Sequence, residues 1–272
     1  MNFRKGDYVT RKSHGNDLIF QIVDVSNNVA VLKGIEVRLL ADSFVSDLVK
    51  VVDNVDLYKE DRELTNNALH TLNLDRDEYF YLPGKILHID SDNDYLERCI
   101  KFYTNLKVEA YGINIKENDI EKSIVSKIIE YKPDILVITG HDAYFKNKGD
   151  SLDLNNYQNS LNFVKAVKKA REYEPSHEKL IIIAGACQSN YEELIKAGAN
   201  FASSPKRINI HALDPAIIAS SVSLSEKNKN IDLIEILDKT KYKTEGMGGI
   251  ITNGTMYVGF PRWIKNYYVK NY

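Results

Sequence analysis

Two uninterrupted apolar runs stand out in the pattern of the chain. One is Ile135-Leu136-Val137-Ile138, followed by Thr139-Gly140-His141-Asp142, and the other is Leu180-Ile181-Ile182-Ile183-Ala184, followed by Gly185-Ala186-Cys187-Gln188. Aliphatic runs of this length without polar alternation predict strands covered on both faces, as in a parallel sheet. Each run stops at small residues and then presents a side chain with chemistry, a histidine in one case and a cysteine in the other. Ligands of open α/β sheets bind beyond the carboxyl ends of the strands, so the pattern predicts an imidazole and a thiol at one rim.

The same alternation of strand and helix extends over 83–272. A first buried strand over 85–90 runs into an acidic rim of Asp90, Asp92 and Asp94. The helix that follows, with Leu96, Cys99, Ile100 and Tyr103 spaced by three and four, takes Asp92 or Asn93 as its cap. A second strand is predicted over 108–115, and Ile120, Ile124, Ile128 and Ile129 mark one face of the next helix. Phe163, Val164, Val167 and Ala170 mark another helix, starting at Asn159 or Ser160, and 191–197 reads as a helix closed by Gly198. Asp214 as cap and Pro215 at the first helical position open a further helix, and Asn253-Gly254 is a hairpin signal. Residues 1–53 change period: short alternating segments at 7–11, 18–25, 29–34 and 37–40, separated by turn residues, predict a small β domain. Its Gly6-Asp7-Tyr8-Val9 and Lys33-Gly34 resemble SH3-like barrels. Residues 54–82 are charged and irregular, with a helix from about Lys59, and are expected to link the two domains. The fold class is therefore α/β, a doubly wound and mainly parallel sheet with a small N-terminal β domain.

Composition narrows the chemistry. With 272 residues and 43% hydrophobic content, one large core and a satellite are affordable, and a net charge of −2 gives no pull toward nucleic acid. No apolar run is long enough to span a membrane and the first residues lack a signal-peptide core, so a soluble cytoplasmic protein is expected. Only Cys99 and Cys187 occur, which excludes a disulfide framework and a four-thiolate zinc site. Cys99 is expected to pack as a small hydrophobe. His14, His70, His88, His177 and His211 show no ligand spacing, so no metal and no other cofactor is expected. Gly246-Met247-Gly248-Gly249 is followed by strand residues and is no phosphate-binding loop; a turn or a close backbone approach is expected there.

On these grounds His141 is the candidate general base and Cys187 the candidate nucleophile of a cysteine peptidase. Backbone N–H groups of Asp142 and Cys187 are candidate oxyanion donors, and the helix after Cys187 is expected to stabilise the thiolate. The polar loop over 146–153 is a candidate substrate clamp, and His211 beside Lys206-Arg207 could reach the same rim. Two non-catalytic readings compete. Asp90, Asp92 and Asp94 could serve a receiver-like module binding Mg²⁺. Alternatively, the N-terminal unit could bind nucleic acid or a coat protein, with the α/β part as scaffold.

The 46-residue separation of His141 and Cys187 on two such strands resembles the caspase, gingipain and clostripain class of cysteine peptidases. A departure is that the glycine precedes the histidine, in Gly140-His141-Asp142, where that class commonly has it after. A more specific likeness lies in four stretches: Thr139-Gly140-His141-Asp142, Gly185-Ala186-Cys187-Gln188-Ser189-Asn190, the run from Ser203-Ser204-Pro205-Lys206-Arg207 through Asp214-Pro215, and Arg11-Lys12-Ser13-His14-Gly15. Together they resemble the YabG family of sporulation proteases over essentially the whole chain. That resemblance implies a caspase-like fold and a mother-cell enzyme that trims spore-coat morphogenetic proteins and related spore precursors. It also implies cleavage after arginine or lysine. A basic P1 residue needs an acidic pocket, for which Asp90, Asp92 and Asp142 are the candidates.

Overall fold

A computed structural model of the chain describes residues 3–51, 56–70 and 78–262. The first strands, β1 (Tyr8–Arg11), β2 (Phe20–Ser26), β3 (Val29–Gly34), β4 (Leu40–Phe44) and β5 (Leu48–Lys50), form an antiparallel sheet in the order β4-β3-β2-β1-β5. Asn27 and Asn28 both adopt positive φ between β2 and β3, as a two-residue hairpin requires, and asparagine tolerates that region. Alternation then turns Val9, Phe20, Ile22, Ala30, Leu32 and Leu48 into one small core. Among the described residues the sheet is open, with β4 and β5 as its edges, and does not close into a barrel. The strand expected at 37–40 begins only at Leu40. Residues 35–39 leave the sheet in a tight turn, with Gly34 N–H donating to Leu39 O at 2.7 Å and Leu39 N–H to Val37 O at 2.8 Å.

The chain continues through α1 (Lys59–His70), β6 (Phe80–Leu82), β7 (Ile86–Asp90), α2 (Asn93–Asn105), β8 (Ala110–Asn114), α3 (Glu117–Tyr131), β9 (Ile135–Thr139), α4 (Ser160–Tyr173) and β10 (Ile181–Ala184). It then forms α5 (Tyr191–Lys196), β11 (Phe201–Ser203), α6 (Asp214–Ser223), α7 (Leu233–Asp238), α8 (Lys243–Gly246), β12 (Met247–Gly249) and β13 (Tyr257–Gly259). Six strands build the second sheet in the order β12-β11-β10-β9-β7-β8, all parallel except β12. Successive side chains face opposite sides. Ile86, Ile135, Val137, Ile181 and Ile183 pack under α2 and α6, while Leu87, Ile89, Leu136, Ile138 and Ile182 pack under α3 and α4. The continuous apolar runs are the sequence trace of this two-sided burial.

The strand order reverses between β7 and β9: the chain steps outward from β7 to β8, then returns to the other side of β7. That switch point marks the crevice where open α/β sheets bind ligands, at the carboxyl ends of β7 and β9; here it is filled, with the register partners Asp90 and Thr139 both fully buried. The rim residues of interest all leave the sheet at this edge.

Two local expectations are corrected. Asn253-Gly254 is not a hairpin: β12 pairs with β11 and β13 with β6. Gly254 instead lies against the Ser225 backbone, where a Cβ would overlap the Ser225 carbonyl, and Asn253 bridges to Asn230. Asp214 is the first residue of α6 rather than its cap; its carboxylate accepts N–H groups of His211 and Lys241, both at 2.9 Å. β11 is three residues long because Ser204 turns the chain with φ of 62°. The glycines over 246–249 do serve close approach, Gly248 against the Tyr191 ring and Gly249 against Phe201.

Gly185 illustrates how the rim depends on glycine. Its φ is +106°, and a Cβ would overlap Ser203 Oγ and sit 2.8 Å from Leu194 Cδ1. Gly185→Ala is expected to cost about 2–3 kcal/mol through backbone strain and the displaced neighbours. Urea unfolding of the variant should show a lowered midpoint at an unchanged slope.

Candidate active site

His141 follows β9 after Gly140, whose missing Cβ lets the chain pass against Ser91 and Glu117. The backbone is then pinned on both sides: His141 N–H donates to Glu117 Oε1 at 2.9 Å, and Asn159 Nδ2 donates to His141 O at 2.9 Å. On the ring, Nε2 lies 3.1 Å from Asp92 Oδ2, and the Tyr95 ring packs edge-on at 5.7 Å. An ionised carboxylate can only accept, so Nε2 carries the proton in the neutral ring and Nδ1 is left with its lone pair. That Nδ1 is buried and has no hydrogen-bond partner among the described residues. The ring is thus clamped by a carboxylate at Nε2, with an unshared lone pair at Nδ1.

Asp92 earns its position through α2, whose cap it is: its side chain accepts the N–H groups of Asp94 and Tyr95. Lys33, from β3, donates to the same carboxylate at 2.7 Å. Burial opposes ionisation here, yet the hydrogen bonds from His141 and Lys33 and the lysine charge outweigh it and hold Asp92 well below the usual carboxylate range. A depressed folded-state value means that the pairing contributes its full stability above the ordinary carboxylate value of about 3.9 and loses it as pH falls below that. Asp92→Asn should therefore flatten the acid side of the stability curve below about pH 4, read by thermal melts across pH.

Cys187 leaves the neighbouring strand. The register pairs Ile138 with Ala184, so His141 and Cys187 emerge from adjacent parallel strands at the same end of the sheet, three residues beyond each partner. The thiol has no solvent exposure, and Ile210 N–H donates to Sγ at 3.3 Å. Burial pushes the thiol up to about 12, with only partial relief from the backbone N–H groups of Ile210 and Arg38 and from the Arg38 charge. The helix expected to stabilise the thiolate does not do so: α5 is six residues long and starts at Tyr191, and Asn190 caps its Glu193 N–H. In this arrangement the thiol is protonated and shielded.

Asp142 joins the two rim loops. Its carboxylate accepts from Ala143 N–H at 2.9 Å, Asn159 N–H at 2.7 Å, Ser160 Oγ at 2.5 Å and Ser189 Oγ at 2.8 Å, and burial raises it from the ordinary value. These bonds tie the His141 loop to the start of α4 and to the turn after Cys187. The residues of the 146–153 loop lie over the same turn, with Ser151 O and Leu152 O accepting from Asn190 Nδ2.

Asp90 lies in the switch-point crevice, fully buried. It pairs with Arg38 Nη1, accepts Thr139 Oγ1 at 2.8 Å and accepts Asp92 N–H at 2.9 Å. The rest of the Arg38 guanidinium donates to Ala212 O through Nε at 3.1 Å and Nη2 at 2.9 Å, lies 3.4 Å from Cys99 Sγ, and stacks over Tyr95 with 5.0 Å to the ring centroid. Cys99 is thus part of the core as expected, and both cysteines are free thiols. Burial holds His88 down to about 3, so it stays neutral between Tyr103 and Thr139. His211 is buried too, its Nδ1 accepting Leu213 N–H at 3.1 Å and its Nε2 3.5 Å from Asp61. Arg207 turns away from the crevice to Glu192 and Tyr157.

Of the candidate residues, the structure thus brings His141 and Asp92 into contact, puts Asp90 one turn of chain away, and uses Asp142 as a joint between loops. In the sequence neither Arg38 nor Tyr95 carries a functional signal, and Lys33 enters only through its likeness to an SH3-like turn. The one trace of Arg38 is its charge inside the otherwise apolar Val37-Arg38-Leu39-Leu40. Among the described residues no group of three or more His, Cys, Asp or Glu side chains is placed to hold a metal ion, and no helix is long and apolar enough to cross a membrane. With Asp90 neutralised by Arg38 and Asp92 by Lys33, the acidic rim is not the open cation site of a receiver.

Comparison with known proteins agrees with the peptidase reading and sets aside the non-catalytic ones. No solved structure matches the chain. The Sporulation-specific protease YabG of Bacillus subtilis (strain 168) is 43% identical over 291 aligned positions, covering 96% of this chain and 99% of the relative. The family model described as YabG peptidase U57 matches residues 4–261, nearly the whole of the chain, and the chain therefore belongs to the YabG peptidase family.

Proposed function

We propose that this peptidase is a cysteine endopeptidase of sporulation that cleaves after arginine or lysine through His141 and Cys187. The observation that carries the reading is the buried, unpartnered Nδ1 of His141 on a ring fixed by Asp92, beside a strand that ends in a cysteine. In the reaction, His141 Nδ1 takes the thiol proton as Cys187 Sγ attacks the scissile carbonyl carbon. The same proton then passes to the leaving amine, giving a thioester and a free amino terminus. Water, deprotonated by His141, attacks the thioester and returns the thiol. Backbone N–H groups of Asp142 and Cys187 are the proposed oxyanion donors.

Asp90 is the carboxylate best suited to read a basic P1 side chain. It sits at the topological switch point and already holds a guanidinium, whereas Asp92 is committed to His141 and Lys33, and Asp142 to four loop donors. The substrates proposed are spore-coat morphogenetic proteins and related precursors, met in the mother-cell cytoplasm. The open N-terminal sheet is proposed to be SH3-like and the doubly wound sheet caspase-like, with 1–53, 54–82 and 83–272 as β domain, linker and peptidase domain.

The test is covalent labelling of the full-length chain by a thiol-directed arginyl peptide probe, beside a glutamyl probe of equal length. Arginyl labelling located at Cys187 and lost in Cys187→Ala is the expected result. Labelling elsewhere, or equal labelling by the glutamyl probe, would refute the nucleophile or the P1 preference respectively.

A further inference from the structure

We infer that residues 35–39 are an internal substrate-mimicking strap, which closes the peptidase by lodging the Arg38 side chain in the P1 chamber and its backbone over Cys187. This rests on the reading of Cys187 as nucleophile and Asp90 as the floor of that chamber. The strap enters the rim as a peptide would. Val37 and His211 form an antiparallel β-bridge, Ala212 N–H donates to Glu36 O at 2.9 Å, and Arg38 N–H donates to Ile210 O at 3.4 Å. Adding an extended segment to free backbone groups is a general way of holding a peptide, with a pocket for a side chain supplying specificity.

The anchor side chain is the one that the proposed activity selects. A guanidinium fork meets a carboxylate and a carbonyl in the crevice where α/β sheets bind ligands, and it is covered by the Tyr95 ring. A buried ion pair is a poor way merely to glue two sheets, because apolar residues of similar volume would serve as well or better. A chamber that must stay anionic for its substrate, in contrast, needs a counter-charge whenever substrate is absent, and Arg38 supplies one.

The strap also differs from a cleavable substrate. Leu39 N–H turns back onto Val37 O, and the single Tyr95 O–H lies between two carbonyl acceptors, Gly34 O at 2.6 Å and Val37 O at 2.9 Å, while Arg98 Nη1 holds Ile35 O at 2.6 Å. The backbone around Arg38 is thus folded and fastened where a substrate would be extended. Cys187 beneath it is fully buried, with Ile210 on its sulfur. Substrate access requires the strap to lift, carrying β3 and the Lys33 contact to Asp92 with it.

The experiment uses the full-length wild type, Arg38→Ala and Arg38→Lys, with three readouts: the rate of Cys187 alkylation by iodoacetamide under native conditions, the thermal shift caused by agmatine, and hydrolysis of an arginyl peptide. A closed strap leaves the open form at about 0.1–10% of the population, so Arg38→Ala should alkylate at least about tenfold faster than wild type. It should also show a larger agmatine-dependent thermal shift than wild type, in which Arg38 competes for the same chamber, and cleave the arginyl peptide at least about tenfold faster. Arg38→Lys should move the same way by less. Folded Arg38→Ala with Cys187 still shielded, or with no agmatine response, overturns the inference. Where Arg38→Ala does not fold alone, agmatine should restore its folding, and agmatine should speed alkylation of the wild type; failure of both overturns it equally. Faster alkylation and agmatine binding without any peptide hydrolysis would keep the strap and remove the protease assignment of the dyad.

Discussion

Replacing Cys187 by alanine is expected to lower arginyl-peptide hydrolysis by roughly 10⁴-fold or more, and His141→Ala is expected to cost nearly as much, with little further loss when the two are combined. The reason is that the two side chains act on one proton. Without the imidazole the thiol has no base to take its proton and attacks slowly; without the thiol, the base has nothing to activate. Rates should be measured in the wild-type chain and again with Arg38→Ala, so that a closed strap does not conceal the difference. Circular dichroism and a melt on each variant separate loss of chemistry from loss of fold. Losses that multiply in the double variant would mean that the residues act independently, and would refute a dyad.

The second large effect is expected at Asp90. Asp90→Asn leaves the Arg38 charge buried without its counter-ion, which typically costs about 3–5 kcal/mol and should lower the melting temperature by on the order of 10 °C. Replacing both partners, as Arg38→Leu with Asp90→Leu, should recover most of that stability, because an apolar pair of similar volume fills the same space without desolvation. The same double variant should no longer favour arginyl over alanyl peptides, since the chamber has lost its charge. Recovered stability together with an unchanged arginyl preference would move the P1 carboxylate to another residue.

The frame of the site is legible in the sequence because its determinants are local. Ile135-Leu136-Val137-Ile138 and Leu180-Ile181-Ile182-Ile183 announce two-sided burial by composition alone, and a strand of known direction fixes which end His141 and Cys187 occupy. Asp92 as cap of α2 and the three-and-four spacing of Leu96, Cys99 and Tyr103 are likewise properties of neighbouring residues. Local signals mislead where distant partners override them. Asn253-Gly254 carries a hairpin signature, yet its backbone is taken by Asn230, Lys229 and Ser225. Asp214 precedes a proline as a cap would, yet its carboxylate is drawn to Lys241 and His211.

By itself, then, the sequence determined which segments are buried strands, that a histidine and a cysteine end two of them, and, through four short motifs, the family. The tertiary structure alone decided what those side chains meet. Arg38 reaches Ala212 across 174 positions, and Lys33 reaches Asp92 across 59, at separations where no periodicity carries information. The environment of the thiol follows from the same fact. A sequence places Cys187 at a strand end, where solvent and a helix terminus would favour the thiolate. In the folded chain it lies instead in the core cluster with Phe201, Ile210 and Met247, which only folding brings to it.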